Sequence, residues 1–326
     1  MAELGATSID VAASDLAGNL SHCHEEPADV TSGPDVVLSR VAELFDEILA
    51  QIPPGTNVWG IGLGLPGPVE FETSTPVSPP IMPGWDGYDV RGFFGSRFQV
   101  PVWVDNDVNV MALGELRGGT ATGHRDFVFV KVGTGIGAGL VSRGELHRGA
   151  QGCAGDIGHA AVGTSDVLCR CGQHGCLEAL AGGYALARDG LGLARAGTSA
   201  LLSQALSDGR EVSAQTVIWA AQHGDPAARE LVVASARLLG ESLARLVNFF
   251  NPSLILIGGG VASAGDMYLA EVRQSVIARS LPLATRSLQI ARSPLGDRAG
   301  LRGAAFMVVD ELLSPERLAA ADVAAS

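Results

Sequence analysis

The stretch from residue 152 to residue 178, GCAGDIGHAAVGTSDVLCRCGQHGCLE, constrains this chain more than any other. It packs two carboxylates (Asp156, Glu178), two imidazoles (His159, His174) and three thiols (Cys169, Cys171, Cys176) into a short Gly-rich segment. Three thiolates and one imidazole are the closed tetrahedral ligand set of a structural zinc, which organises a loop rather than catalysing. The C-x-C-x4-C run departs from the usual C-x2-C pairs, so buried small hydrophobes or a redox cluster compete with zinc. Arg170, Gln173 and His174 argue against a core run, and the lack of C-x-x-C argues against redox chemistry. His159 and His174 both stand as fourth ligand. A metal here would fix where the bracketing carboxylates point, as a wall for a polyol.

The length of 326 residues predicts about two domains. An apolar content of 47% with 43 glycines suits a soluble α/β protein with many tight turns. Five cysteines, three of them clustered, make a disulfide framework a poor reading and favour a reducing compartment. No basic-then-apolar leader and no apolar run of membrane-spanning length is present, so a cytoplasmic location without a membrane partner is expected. A formal charge of −13 opposes direct binding of nucleic acid by this chain alone.

In order, residues 8–14 alternate apolar and polar and residues 20–26 follow a turn, which predicts two short strands. Glu3 to Ser8 (ELGATS) sits where a strand hands over to a turn able to offer amides and a hydroxyl to a phosphate. Val37, Leu38, Val41, Leu44, Phe45 and Ile48 recur at helical spacing within 34–52. A buried strand over 59–67 then runs into Pro66-Gly67, residues 71–88 read as loop, 90–98 as a helix and 100–104 as a strand. That strand ends in Asp105-Asn106-Asp107-Val108-Asn109, ahead of a helix over 110–116. Polar groups at the carboxyl end of a parallel strand mark the usual place of an α/β active site, and a carboxylate there can take a proton from a hydroxyl. One of the three explains a helix cap; three exceed that need.

A strand over 127–131 leads into VGTGIGAGLV, which fits a hairpin with amides cupping an anion rather than a dinucleotide fingerprint. Residues 177–250 read as helices broken at Gly190, Gly197 and Gly209, ending in a long core helix from 226. A strand over 253–257 meets Gly258-Gly259-Gly260, where another molecule can approach the backbone. A helix over 267–279, a strand over 288–291, a helix over 300–312 and a frayed tail close the chain. No internal repeat is evident in the sequence.

Together these segments resemble the ROK family of sugar kinases and sugar-responsive regulators over nearly the whole chain. The most specific matches are GxxGDIGH followed by CxCGxxGCxE, then VDNDVN at 104–109. The resemblance implies an α/β, two-domain actin-like ATPase (ribonuclease H-like) fold with a cleft: residues 1–106 with a C-terminal helix 300–313, and 107–299 with the zinc loop 152–178. It implies an ATP-dependent, glucokinase-like phosphotransferase with Asp107 as base for the 6-hydroxyl of a hexose or similar polyol. Gly67 and Asn106 would bind the sugar, with Asp156, His159 and Glu178 near C1–C3. His159, Cys169, Cys171 and Cys176 would hold structural zinc, which decides for His159 over His174. Gly5, Thr7, Gly133, Thr134, Gly135, Gly258 and Gly259 would contact ATP with its Mg2+, in a homo-oligomer (dimer or tetramer).

Three segments depart from the family pattern. Its phosphate motif DIGGTK reads Glu3-Leu4-Gly5-Ala6-Thr7-Ser8 here, and its Glu before I-G-H is the shorter Asp156. Pro80 stands near the place of an Asn ahead of the Pro-Gly-Trp segment. These changes motivate an alternative, the sugar-sensing half of a ROK regulator, although no helix-turn-helix module is expected in this chain.

Overall fold

A computed structural model describes residues 1–296 and 298–315; most of the frayed tail expected beyond 312 lies outside the described residues. Alternation in the first 27 residues produces an antiparallel meander of β1 (Ala2–Leu4), β2 (Ser8–Ser14) and β3 (Leu20–Pro27). β4 (Ile61–Leu65) and β5 (Val102–Asn106) join β1 in parallel, giving the order β3-β2-β1-β4-β5. The pleat sends Val102 and Val104 to one face, with α1 (Pro34–Leu49), α2 (Val90–Phe98) and a core of Leu38, Val41, Phe45, Trp85 and Phe94. Trp103 points the other way, to Val110, Phe306 and Met307 on α3 (Asp107–Gly118) and α10 (Arg298–Leu312). Those two helices approach closely because Gly303 lies against the Val110 carbonyl and Gly114 against that of Ala299. The segment expected as loop over 71–88 contains one short strand, Thr75–Pro76, which pairs with Val69–Glu70 just ahead of it.

A second sheet runs β6 (Phe127–Val132), β7 (Ile136–Ser142), β8 (Glu145–Leu146), β9 (Leu254–Gly258) and β10 (Gln289–Arg292), in the order β8-β7-β6-β9-β10. Counted along the chain, both sheets read 3-2-1-4-5, with β9 parallel to β6 and β10 as β4 is to β1 and β5. The repeat invisible in the sequence is therefore present in topology, which many sequences satisfy.

Helices α4 (Leu177–Ala181), α5 (Gly183–Arg195), α6 (Ala200–Ser207), α7 (Ala214–Gln222), α8 (Pro226–Phe250) and α9 (Asp266–Arg279) belong with the second sheet. α8 starts as expected at Pro226, where the Asp225 carboxylate accepts the Ala228 amide at 3.0 Å, and Leu239, Leu243 and Val247 are fully buried along it. The break expected at Gly190 is absent: α5 runs through it, because the missing side chain lets Val217 of α7 pack against the helix.

The described chain divides into two compact units, 1–123 with 146–154 and 298–315, and 124–145 with 155–296. The boundary expected at 106 falls after Gly123 because α3 packs on α10 and stays in the first unit. Among the described residues no helix is long and apolar enough to cross a membrane.

Candidate functional site

In the first unit the polar motif straddles a strand and a helix. The strand expected to stop at 104 continues through Asn106, and the helix expected from 110 opens at Asp107. Asn106 is the cap: its Oδ1 accepts the amides of Val108 (2.9 Å) and Asn109 (3.3 Å), while its Nδ2 donates to the Gly67 carbonyl at 2.9 Å. The two sugar-binding candidates of this unit are thus joined directly. Asp107 occupies the first helical position, where the helix dipole favours an anion, and it is 5% exposed with Oδ1 accepting its neighbour's amide (Val108, 2.9 Å).

Asp105 has a different part. Its Oδ1 accepts the Asn106 amide (2.7 Å) and Asn109 Nδ2 (2.8 Å), and its Oδ2 accepts Arg148 Nε at 2.7 Å. Sequence reasoning missed Arg148, since no spacing signal links it to a carboxylate forty-three positions away. Strand pairing sets Glu3, Gly64 and Asp105 side by side at the carboxyl ends of β1, β4 and β5. Glu3 is buried, and its carboxylate reaches into the space that a side chain at Gly300 would fill. The turn holding Gly5 and Thr7 follows directly: the Gly5 amide donates to Ser8 O at 2.9 Å, and exposed Thr7 accepts the Ala28 amide at 3.1 Å through its carbonyl.

In the second unit, Gly133-Thr134-Gly135 is the tight turn between β6 and β7. The Gly133 amide closes on the Gly135 carbonyl (2.9 Å), so the anion-cupping amides left to this turn are those of Thr134 and Gly135. Its carbonyls accept the amides of Gly183 (2.8 Å, from Gly133) and Tyr184 (3.0 Å, from Thr134), pinning the turn to the start of α5. Gly258 pairs with Lys131, and Gly259, at φ 83°, comes so close to Val132 that only glycine fits, so both glycine-rich turns share one end of the sheet. Glu178 accepts the Ile136 amide at 3.0 Å, which ties a sugar-binding candidate to the far side of the same turn.

His159, Cys169, Cys171 and Cys176 bring their ligand atoms within 4.8 Å of one another. Tight turns shape the cluster: the Gly172 amide donates to Cys169 O (3.0 Å), the Cys169 amide to Gln173 O (2.7 Å), and Gly172 and Gly175 take φ of 88° and 71°. Cys169 Sγ lies 3.5 Å from His159 Nδ1, and Cys171 Sγ 3.7 Å from Cys176 Sγ. A tetrahedral zinc requires edges of about 3.6 Å from sulfur to nitrogen and about 3.8 Å between sulfurs, so the four residues fit that ion. Burial, then the neighbouring thiols, pushes Cys176 up to about 12; a divalent cation supplies the charge that reverses this. His174 is exposed and stands outside the ligand group. With Nδ1 toward the thiols, His159 presents Nε2 to Asp156 Oδ1 at 4.0 Å. Partial burial pushes the Asp156 carboxyl above its usual range, against the pull of His159.

The sequence pattern of the ROK family matches residues 2–311. The chain is 31% identical to a glucokinase from Halalkalibacterium halodurans, over 97% of this chain and 96% of that one. It is 32% identical to a xylose repressor from Caldicellulosiruptor bescii, over 96% of this chain and 78% of the repressor. Its structure is similar to that of a ROK family glucokinase from Streptomyces griseus in complex with glucose and AMPPNP, with a TM-score of 0.80 and 30% identity, covering 94% of this chain and 97% of the other.

Proposed function

The chain belongs to the ROK family, and from that premise we propose that it is an ATP-dependent sugar kinase with the actin-like ATPase fold, moving the γ-phosphate to the 6-hydroxyl of a hexose or hexose-like polyol. The observation that carries this reading is Asp107, a shielded carboxylate at the first turn of α3, beside an Asn106 whose amide is anchored on Gly67. Phosphoryl transfer asks for positioning and charge stabilisation more than for covalent help from the protein. Asp107 accepts the proton of the attacking hydroxyl, and Asn106 with Gly67 orients the ring. In the second unit Asp156, His159 and Glu178 bind hydroxyls near C1–C3. Gly5, Thr7, Gly133, Thr134, Gly135, Gly258 and Gly259 let the polyphosphate approach backbone amides; Mg2+ bound with ATP would neutralise charge on the transferred group.

His159, Cys169, Cys171 and Cys176 hold a structural zinc in this reading, supported by edge lengths that suit a tetrahedral ion. An imidazole bound to metal through Nδ1 keeps Nε2 for substrate, which couples the metal to sugar recognition. A cytoplasmic homo-oligomer acting on small molecules completes the proposal.

The departures at Glu3, Ala6 and Ser8, together with the likeness to a repressor, favour a second reading as a sugar sensor that has lost turnover. A coupled ADP-release assay across hexoses, N-acetylhexosamines and cyclitols separates the two. The kinase reading expects sugar-dependent turnover that Asp107→Asn lowers by about 100-fold or more, the usual worth of a general base. Silence with every sugar, while one of them still raises the melting temperature, would establish the sensor instead.

A further inference from the structure

Arg148 lies on the segment 146–154, which belongs to the first unit although the chain on either side of it belongs to the second. The segment is shaped to present this side chain. The Ala154 amide closes on the Arg148 carbonyl at 3.0 Å, and Gly152, at φ 82°, sits so close to the Val69 carbonyl that no side chain fits. Next to Val69, the turn after Glu70 carries Phe71, and the Arg148 guanidinium lies 3.7 Å from the centre of that ring. A planar cation stacked on an aromatic face loses freedom to rotate, so its Nε direction is set. That Nε meets Asp105 Oδ2 at 2.7 Å, with the Asp105 side chain only 2% exposed.

The other oxygen of Asp105 holds the Asn106 amide and Asn109 Nδ2, at 2.7 and 2.8 Å. These two residues flank Asp107 and, through the Asn106 cap, determine how α3 begins. Without Arg148, the Asp105 carboxylate would be buried without its cation, and it would have to turn, protonate or draw in water. Turning the carboxylate breaks the two bonds that its Oδ1 accepts at the first turn of α3, and protonation, by removing the charge, weakens them. We propose that Arg148 is a positioning residue for the kinase reaction: through Asp105 it fixes the direction in which the Asp107 carboxylate faces the sugar hydroxyl. This rests on the reading of the chain as a sugar kinase.

The test uses the full chain with Arg148→Met, Arg148→Lys, Asp107→Asn and the Arg148→Met/Asp107→Asn double variant. Misplacing a reacting group by an ångström costs about 100-fold in rate, so R148M should lower kcat by about that factor while KM for ATP stays within about twofold. R148K, which keeps the charge without the planar fork, should recover part of the loss. In the D107N background, R148M should cost nothing further, since there is no carboxylate left to aim. A full additional loss in the double variant would overturn the proposal, as would an R148M kcat within about twofold of wild type. If the wild-type protein turns over no sugar, the kinase reading fails by itself. Crystal structures of wild type and R148M then decide: an Asp107 side chain and Asn106–Gly67 bond unchanged in R148M overturn the positioning role, and a reoriented Asp107 upholds it.

Discussion

Cys171→Ser tests the coupling of metal to sugar. Apart from any metal, the loop around the cluster is held by tight-turn backbone bonds and a small apolar contact. Its bridges are single pairs, Ala161 with Cys176 and Leu168 with His174, and its apolar cluster comprises Cys169, Cys176 and Ala179 with Val167 and Cys171 beside them. Structural zinc contributes about 10–16 kcal/mol in small zinc domains, or about 3 kcal/mol per ligand, so losing one thiolate should weaken zinc binding by a hundredfold or more. His159 leads into this loop, and Cys176 caps the helix that carries Glu178, so loss of the ion releases two sugar-binding candidates together. Hydrogen bonds to charged groups are worth about 1.5–3 kcal/mol each, so losing one should cost about 10- to 100-fold in sugar affinity and losing both about 100-fold or more. The Gly133-Thr134-Gly135 turn keeps its bonds from the Gly183 and Tyr184 amides even if Glu178 lets go of the Ile136 amide, so nucleotide affinity should change by no more than about threefold. Metal content by mass spectrometry and calorimetric titration of glucose and of AMPPNP read all three quantities. Equal losses of both ligands, or full zinc retention in the variant, would refute the coupling.

Two further predictions concern the scaffold. Gly303→Ala should lower the unfolding free energy by about 1–3 kcal/mol, because the added methyl meets the Val110 carbonyl; Gly95→Ala in α2, with open space around it, should raise it by about 0.5–1 kcal/mol. Denaturant titration checks the opposite signs, and a shared sign would contradict the helix packing described. The Arg40 guanidinium beside Glu26 holds that carboxyl down to about 2, from an ordinary 4.5, so its stabilisation is complete above pH 4.5 and lost as pH falls toward 2. Solvent screening limits this to about 1 kcal/mol; the difference in melting temperature between wild type and Glu26→Gln should shrink over that interval, and a constant difference would argue against it.

Much of the architecture is legible along the chain because helices and strands are written in periodicities of a few residues. The spacing from Val37 to Ile48 and the run from Val90 to Phe98 match α1 and α2, and Pro226 opens α8 as expected. The cysteine cluster and VDNDVN are also local, so their chemistry can be read before any fold is known. What the neighbours in sequence leave open is decided by partners far along the chain. Gly190 breaks a helix in isolation, yet α5 continues because Val217 fills the space over it. Asp105 and Asn106 look like the start of a loop, yet pairing with Gly64 and Leu65 keeps them in β5 and moves the start of α3 to Asp107. Arg148 carries no motif at all; only a fold that closes residues 146–154 onto the first sheet brings it to Asp105. Local preference is worth about 1 kcal/mol per residue or less, whereas burying a side chain or leaving a carboxylate unpaired is worth several, so tertiary structure decides where the two disagree.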